Sequence, residues 1–191
     1  MTLKNQYFLL RHGETVWGKT GLSYPWPDSE KVRLNKIGKE QIRRAAKILK
    51  KERIDLIFSS DFFRAKQTAE IVAKALRHKI VFDKRLRDTY IGHYHVKPKG
   101  VFNQDFPLSK LLSRFKKRPK GGENWNEVKK RVKEFLLSAE KQYQGKRILI
   151  VSHGDPLWLL EGLTRDLSDK ELVDIILGKK YIKMGELKKV N

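Results

Sequence analysis

The sequence of 191 residues contains no cysteine. That absence excludes disulfide bonds, zinc sites built on thiolates and a cysteine nucleophile. The chain also lacks an apolar run long enough to cross a bilayer. No apolar segment with a small-residue cleavage site follows the first residues, so we expect a soluble, cytoplasmic protein with no membrane partner.

Acidic residues are scarce relative to basic ones. The 43 Lys and Arg against 22 Asp and Glu give a formal net charge of +21. A field this positive attracts anions, so we expect a phosphorylated small-molecule substrate, with nucleic acid bound only through non-specific electrostatics. A basic surface that merely keeps the protein solvated is the alternative. Because 39% of the residues are hydrophobic, we expect one globular domain over residues 1–191.

Apolar runs alternate with helical patterns along the chain. The runs predict four short strands, at Gln6–Leu10, Ile54–Ser59, His78–Phe82 and Arg147–Val151. Three helices are predicted to begin after N-caps at Asn35, Asp61 and Ser168. Two more are predicted from about Trp125 to Gly145, which ends the helix, and from Pro156 to Leu163. The stretch from Asp83 to about Gly122 is expected to be irregular, with a weak helix at Leu108–Phe115. The alternation predicts an α/β fold: a three-layer sandwich with a mostly parallel central sheet flanked by helices.

Several polar side chains follow the predicted strands directly. Arg11 and His12 come after the first strand, Arg64 lies just beyond the second, and His153 follows the Arg147–Val151 strand. Ligands bind at the carboxyl ends of the strands in open α/β sheets. If these strands are neighbours, two imidazoles and two guanidiniums converge on one pocket. Arginines suit bidentate phosphate contact, and a histidine between them can attack phosphorus.

Five motifs in this order and spacing make the sequence resemble the histidine phosphatase superfamily, the phosphoglycerate mutase-like proteins, over nearly the whole chain. The motifs are Leu10-Arg11-His12-Gly13-Glu14-Thr15, Leu34-Asn35-Lys36-Ile37-Gly38, Ser59-Ser60-Asp61-Phe62-Phe63-Arg64-Ala65, Gly122-Glu123 ahead of Arg131-Val132, and Val151-Ser152-His153-Gly154. The resemblance implies a phosphatase that works through a phosphohistidine on His12. It implies a phosphate cage of Arg11, Arg64 and His153, with His153 also catalytic, and neither metal nor cofactor.

The proton donor is where this sequence departs from the family pattern. The family has a glutamate four residues before a glycine, and here Asp88 occupies that position ahead of Gly92. We expect Asp88 to be the general acid. Another branch of the superfamily uses an aspartate beside its second histidine, which makes Asp155 the weaker candidate. In the remaining alternative, Asp88 only pairs with Arg85 or Arg87 at the surface.

The segment at about 93–122 is expected to be a basic insertion that covers the pocket. Its cations predict a substrate with additional negative charge, and weak substrate-binding roles fall to Lys116, Lys117 and Arg118. A solvated basic face is the alternative. Gly18 and the pair Tyr24-Pro25 stand where mutases of the family have sugar-acid-binding residues, which favours a phosphatase over a mutase.

Three other interpretations of the sequence deserve a test. Residues Gly13 to Thr20 match the nucleotide-binding pattern G-x-x-x-x-G-K-[ST], but Gly21, Pro25 and Pro27 preclude the helix that this motif needs. His93 and His95 supply two metal ligands without a third, so hydrogen-bonded loop histidines are expected. Finally, a catalytically weak protein could bind nucleic acid or protein through its charge, although such a module has no need for a nucleophile.

Overall fold

A computed structural model describes residues 2–191 and contains a five-stranded sheet at its centre. The strands are β1 (Gln6–Arg11), β2 (Leu56–Ser59), β3 (Ile80–Phe82), β4 (Arg147–Ser152) and β5 (Leu187–Lys189). Their order is β3-β2-β4-β1-β5. Strands β1 to β4 are parallel and β5 runs antiparallel to β1. The mostly parallel sheet predicted from the sequence is confirmed.

Six α-helices surround the sheet in the described part of the chain. They are α1 (Lys36–Lys51), α2 (Phe63–Leu76), α3 (Lys99–Asp105), α4 (Trp125–Gln142), α5 (Gly154–Thr164) and α6 (Asp169–Leu177). Short 3-10 helices lie at Trp17–Thr20, Glu30–Val32, Lys84–Leu86, Gly92–Tyr94 and Leu108–Phe115. No helix within residues 2–191 is both long enough and apolar enough to cross a bilayer.

Both faces of the sheet are buried, because side chains of one strand alternate between two cores. On β1, Tyr7 and Leu9 belong to the core beneath α4, α5 and α6. Phe8 and Leu10 belong to the core beneath α1 and α2. Continuous apolar strands thus produce the predicted three-layer arrangement, with helices on both faces.

The helix caps agree with the sequence in two of the three predicted places. The Asn35 side chain accepts a hydrogen bond from Gly38 N at 2.8 Å, and Ser168 forms a capping box with Glu171. The cap predicted at Asp61 is wrong. Helix α2 begins after Phe62 without a side-chain cap, since the Asp61 carboxylate is paired with Arg87.

Other elements also differ from the sequence prediction. Strand β2 begins at Leu56 and β3 at Ile80, each two residues later than expected. Helix α5 begins at Gly154, two residues before Pro156. Helix α3 lies within the stretch expected to be irregular, and β5 was not predicted at all. The short β5 becomes a strand only by pairing with β1, a contact that local patterning does not reveal.

Two glycines let the loop after β1 lie directly on the start of α1. A Cβ on Gly13 would come within 2.6 Å of the Gly38 carbonyl oxygen. A Cβ on Gly38 would come within 2.0 Å of the Glu14 carbonyl oxygen. This close backbone approach, which only glycine permits, fixes the loop that follows His12.

Candidate active site

The sheet register places two histidines side by side. Arg11 at the end of β1 is aligned with Ser152 at the end of β4, so His12 and His153 follow at the same level. The backbone N–H of His12 donates to the Ser152 carbonyl at 3.0 Å. The two imidazole centroids are 5.3 Å apart, and both side chains are buried.

The tautomer of His12 follows from its neighbours. Its Nδ1 lies 2.9 Å from the Gly13 carbonyl oxygen, which can only accept, so Nδ1 carries the proton. Its Nε2 accepts a hydrogen bond from Arg64 Nε at 3.2 Å. His12 therefore presents an unprotonated Nε2 toward Arg64, as a nucleophilic imidazole requires.

The Arg64 guanidinium donates hydrogen bonds to three groups of the site at once. Besides Nε to His12, one terminal nitrogen donates to Asp28 Oδ2 at 2.6 Å and the other to Asp88 Oδ2 at 2.6 Å. Its guanidinium carbon lies 4.2 Å from the centroid of the Tyr24 ring, in cation–π contact. The guanidinium is 1% exposed, so a phosphoryl group must replace one of these contacts to reach it.

Asp28 is a site residue that sequence reasoning missed. Its side chain is fully buried against Arg64, and its Oδ1 has no hydrogen-bond partner within residues 2–191. Burial raises the pKa of Asp28, and the Arg64 charge only partly offsets that effect. The residue lies 36 positions before Arg64 in a proline-rich loop. A carboxylate beside those prolines was the only signal in the sequence.

His153 is held by Ser60. Its Nε2 lies 2.9 Å from Ser60 Oγ, which also accepts a hydrogen bond from the Phe62 N–H. A Ser60 hydroxyl that donates to Nε2 leaves the ring proton on Nδ1. That Nδ1 has no hydrogen-bond partner in the described chain and lies 3.8 Å from Asp88 Oδ2. It is free to donate to a ligand oxygen.

Burial and neighbouring cations keep both histidines neutral. Burial, then the charges of Arg64 and Arg11, hold the pKa of His12 well below its usual value. Burial and Arg64 likewise hold the pKa of His153 well below its usual value, with His12, Arg11 and Arg131 adding to the effect. Neutral imidazoles at neutral pH suit both nucleophilic attack and neutral hydrogen-bond donation.

Arg11 stands beside the cluster. One terminal nitrogen donates to the Ile182 carbonyl at 2.8 Å, and the guanidinium lies 5.6 Å from the centroid of the Tyr181 ring. Its buried Nε has no partner among the residues that the structure describes. Arg11 therefore retains a donor for an incoming anion, while its charge acts on both histidines.

The loop that carries Asp88 is fixed by Arg131. The Arg131 guanidinium donates to the carbonyl oxygens of Arg85, Arg87 and Asp88 at 2.6, 2.7 and 2.8 Å. Glu123 holds Arg131 in turn, through a contact of 2.9 Å. This bracing explains why Asp88 reaches Arg64 instead of pairing with Arg85 or Arg87, whose carboxylate partners are Asp83 and Asp61.

Asp155 is engaged elsewhere. Its carboxylate accepts hydrogen bonds from Thr89, Trp125 and Tyr181, and Arg114 lies 3.7 Å away. Burial raises the pKa of Asp155, but Arg114 and the three donors outweigh burial and lower it overall. A carboxylate held ionised in this way is a poor proton donor. Asp88 Oδ2, in contrast, lies inside the histidine cluster, 2.6 Å from Arg64 and 3.8 Å from His153 Nδ1.

A cavity of about 180 Å³ opens above Arg64 and Asp88. Arg64, Asp88, Thr89 and Asp155 line it together with an apolar and aromatic group of Tyr24, Pro25, Trp26, Phe62, Ile91 and His95, and with Ser23 and Lys99. The cations predicted to bind substrate weakly are not among these lining residues. Lys117 Nζ donates to the Asp105 carbonyl, Arg118 pairs with Glu127, and Lys116 is exposed.

The remaining sequence candidates have structural partners. His95 Nδ1 lies 2.7 Å from the Tyr24 carbonyl oxygen, and its Nε2 accepts from the Ile91 N–H at 3.1 Å. His93 Nδ1 lies 3.3 Å from the Lys120 carbonyl oxygen. Residues Trp17–Thr20 form a 3-10 helix that ends at Gly21. The nucleotide-binding pattern therefore lacks the α-helix on which its phosphate contacts depend.

The chain is similar to known proteins in sequence and in fold. The model of the histidine phosphatase superfamily (branch 1) matches residues 7–180. A probable phosphoglycerate mutase, GpmB, of Escherichia coli is 34% identical over 158 residues, which cover 81% of this chain and 72% of the relative.

Solved structures with a similar fold are also known. YhfR of Bacillus stearothermophilus is 27% identical with a TM-score of 0.79, over 96% of this chain and 89% of that one. A mycobacterial glucosyl-3-phosphoglycerate phosphatase, solved with VO3, shares the fold with a TM-score of 0.80 at 23% identity, over 97% of this chain and 90% of that one. Because the family model spans most of the sequence, the chain belongs to the histidine phosphatase superfamily, branch 1.

Proposed function

We propose that the protein is a metal-independent phosphatase that hydrolyses a phosphomonoester through a phosphohistidine on His12. The observation that carries the proposal is the buried, neutral His12, whose unprotonated Nε2 faces Arg64 at 3.2 Å. A lone pair aimed at a guanidinium suits an imidazole that receives a phosphoryl group held by that guanidinium.

Substrate binding rearranges the contacts of Arg64. The phosphoryl oxygens take the place of Asp88 Oδ2 at one terminal nitrogen and draw Nε away from His12. Asp28 keeps its contact from the buried side and holds the guanidinium in place. Arg11 Nε and His153 Nδ1 supply further donors to the same oxygens.

In the first step, His12 Nε2 forms a bond to phosphorus and the bond from phosphorus to the ester oxygen breaks. Asp88, protonated in the reactive complex, gives its proton to the departing oxygen. Arg64, Arg11 and His153 stabilise the charge on the three equatorial oxygens during the transfer. The product alcohol leaves, and the phosphoryl group remains on His12.

In the second step, a water oxygen forms a bond to phosphorus and the phosphorus–Nε2 bond breaks. The Asp88 carboxylate takes the proton that the water loses. Inorganic phosphate departs, His12 is again neutral with its proton on Nδ1, and Asp88 is protonated for the next turnover. Atoms and protons therefore balance over the cycle.

Phosphoglycerate mutase-type transfer is the second candidate, because the curated relative at 34% identity is called a probable mutase. A mutase must hold a sugar acid while the phosphoryl group returns to it. Tyr24 and Pro25, which stand where mutases of the family have sugar-acid-binding residues, line the cavity and support hydrolysis. The multiply anionic leaving group expected from the sequence stays a prediction.

The test is phosphate release from 4-nitrophenyl phosphate in excess EDTA. This activated leaving group needs little protonation, so the assay isolates His12 from the role of Asp88. We expect turnover by the wild type and by His93→Ala, a matched histidine change outside the cluster. Turnover by His12→Ala should fall at least roughly a thousandfold. Full activity of a folded His12→Ala protein, or none in the wild type, contradicts the proposal.

A further inference from the structure

One wall of the cavity above Arg64 is aromatic. The Trp26 indole lies 4.5 Å from Phe62, 4.9 Å from Tyr90 and 5.6 Å from His95, measured between ring centroids. Ile91 adds an aliphatic surface to the same cavity. Such a surface favours apolar or flat groups, which gain by burial and by ring–ring contact.

Hydrogen bonds fix this wall before any ligand arrives. The His95 ring joins the Tyr24 carbonyl to the Ile91 N–H, and it uses both of its nitrogens to do so. The Tyr24 hydroxyl lies 2.9 Å from Thr15 Oγ1. A ligand that fits a preformed wall pays little ordering entropy.

The residues that line the cavity do not show the excess of positive charge that the whole protein carries. Two cations, Arg64 and Lys99, face two carboxylates, Asp88 and Asp155. Burial lowers the pKa of His95, so its ring adds no positive charge. Once a phosphoryl group occupies Arg64, Lys99 is the one cation left in the cavity lining, because Arg114 lies outside the lining and already pairs with Asp155. The lining therefore offers no excess of positive charge to a second anionic group on the substrate.

The size of the cavity limits the leaving group. Its volume of about 180 Å³ lies below the roughly 300–1,000 Å³ of pockets for drug-sized ligands. It is close to the roughly 150 Å³ of an engineered cavity that binds benzene. One ring therefore fits against the wall, and a larger group must extend past Lys99 into solvent.

We propose that the substrate is a phosphomonoester with a single phosphate and a compact, uncharged, ring-bearing leaving group, packed against Trp26 and Ile91. This inference rests on the proposed function, because it names the alcohol that the same site releases. It differs from the sequence prediction of a multiply anionic substrate. Trp26 is then a specificity-determining residue, and Lys116, Lys117 and Arg118, which lie outside the cavity lining, do not choose the substrate.

The experiment compares three esters of weakly acidic alcohols, so that no leaving group is chemically activated. Benzyl phosphate has an uncharged ring, ethyl phosphate has no ring, and 3-phosphoglycerate carries a second anionic group. We measure kcat/KM for phosphate release by the full-length protein. Benzyl phosphate should exceed each of the other esters by roughly tenfold or more.

Three variants test whether the aromatic wall causes the preference for benzyl phosphate. Trp26→Leu should lower kcat/KM for benzyl phosphate roughly tenfold and for ethyl phosphate by less than about twofold. Trp26→Phe keeps a ring and should retain most of the preference. Phe82→Leu, an exposed aromatic residue on β3 away from the cavity lining, is the matched control and should change neither value.

The outcomes separate the two proposals. If the wild type hydrolyses 4-nitrophenyl phosphate but prefers 3-phosphoglycerate or ethyl phosphate, the substrate inference is wrong and the phosphatase proposal stands. Equal losses for all esters in Trp26→Leu, without recovery in Trp26→Phe, also overturn the inference. If the wild type hydrolyses no ester, 4-nitrophenyl phosphate included, both proposals fail.

Discussion

Two regions of this protein carry positive charge in different ways. In the cavity, Arg64 is buried between two carboxylates and the lining charges balance. In the segment at 93–122, exposed lysines meet few acids; Lys116 and Lys117 are examples. The difference teaches that a net charge of +21 describes the surface and not the site. A protein binds an anion tightly where its hydrogen-bond donors are fixed and shielded from water. In this site, two carboxylates fix the Arg64 guanidinium.

The largest loss of turnover is expected from a change at Asp88, one of the two carboxylates that pair with Arg64. Asp88→Asn removes the proposed proton donor but keeps its shape, so turnover of benzyl phosphate should fall roughly a hundredfold. Turnover of 4-nitrophenyl phosphate should fall much less, because its leaving group needs little protonation. Steady-state rates of the variant and the wild type on both esters give the two losses to be compared. For Asp155→Asn, equal losses on both esters are expected, and a leaving-group dependence there would instead make Asp155 the acid.

A smaller effect is expected from the buried partner of Arg64. Asp28→Asn keeps the volume and removes the charge that holds the guanidinium, so kcat/KM should fall roughly tenfold through misplacement of Arg64. Asp28→Glu should restore part of that loss. Asp61→Asn is the matched control, since Asp61 pairs with Arg87 outside the histidine cluster. An Asp28→Asn enzyme as active as the control would show that Asp28 does not position Arg64.

The next effect concerns stability and pH. His12 and His153 have pKa values well below 6.5 in the folded protein, whereas the unfolded chain binds a proton on each near pH 6.5. Because the unfolded state then binds more protons, stability is fully present above pH 6.5 and is lost as pH falls below it.

Between pH 7.5 and 5.5, each histidine should reduce the free energy of unfolding by up to about 1.4 kcal/mol, the limit set by titration of the unfolded histidine. Urea denaturation at the two pH values measures the sum of all titrating groups. His153→Gln should remove one such contribution and so lower the dependence of the free energy of unfolding on pH. An unchanged slope in His153→Gln would mean that His153 titrates normally in the folded state.

The smallest effect is expected from the basic segment. The double change Lys116→Gln and Lys117→Gln should alter kcat/KM for any monoester by less than about twofold at physiological salt, because these cations lie outside the cavity lining. Kinetics at two salt concentrations check this. A tenfold loss confined to 3-phosphoglycerate would instead support the substrate-binding role predicted from the sequence.

The sequence predicts the sheet and the meeting of the two histidines for a physical reason. Apolar strands that end in His12 and His153 are parallel neighbours, so their carboxyl ends share one edge. Local signals such as the Asn35 cap also appear as expected. Contacts between residues that are far apart in the sequence are not predicted. Asp28 reaches Arg64, Asp61 turns to Arg87, and β5 pairs with β1 only after the chain has folded.

The measurement that tests the central claim most directly is detection of the phosphoenzyme. The wild-type protein is mixed with a phosphorus-labelled monoester, quenched in base and digested for peptide mapping. We predict label that is stable to base, labile to acid, and confined to the peptide that contains His12. His12→Ala should show none. An acid-stable adduct on another residue, or turnover that survives in His12→Ala, would contradict the phosphohistidine mechanism.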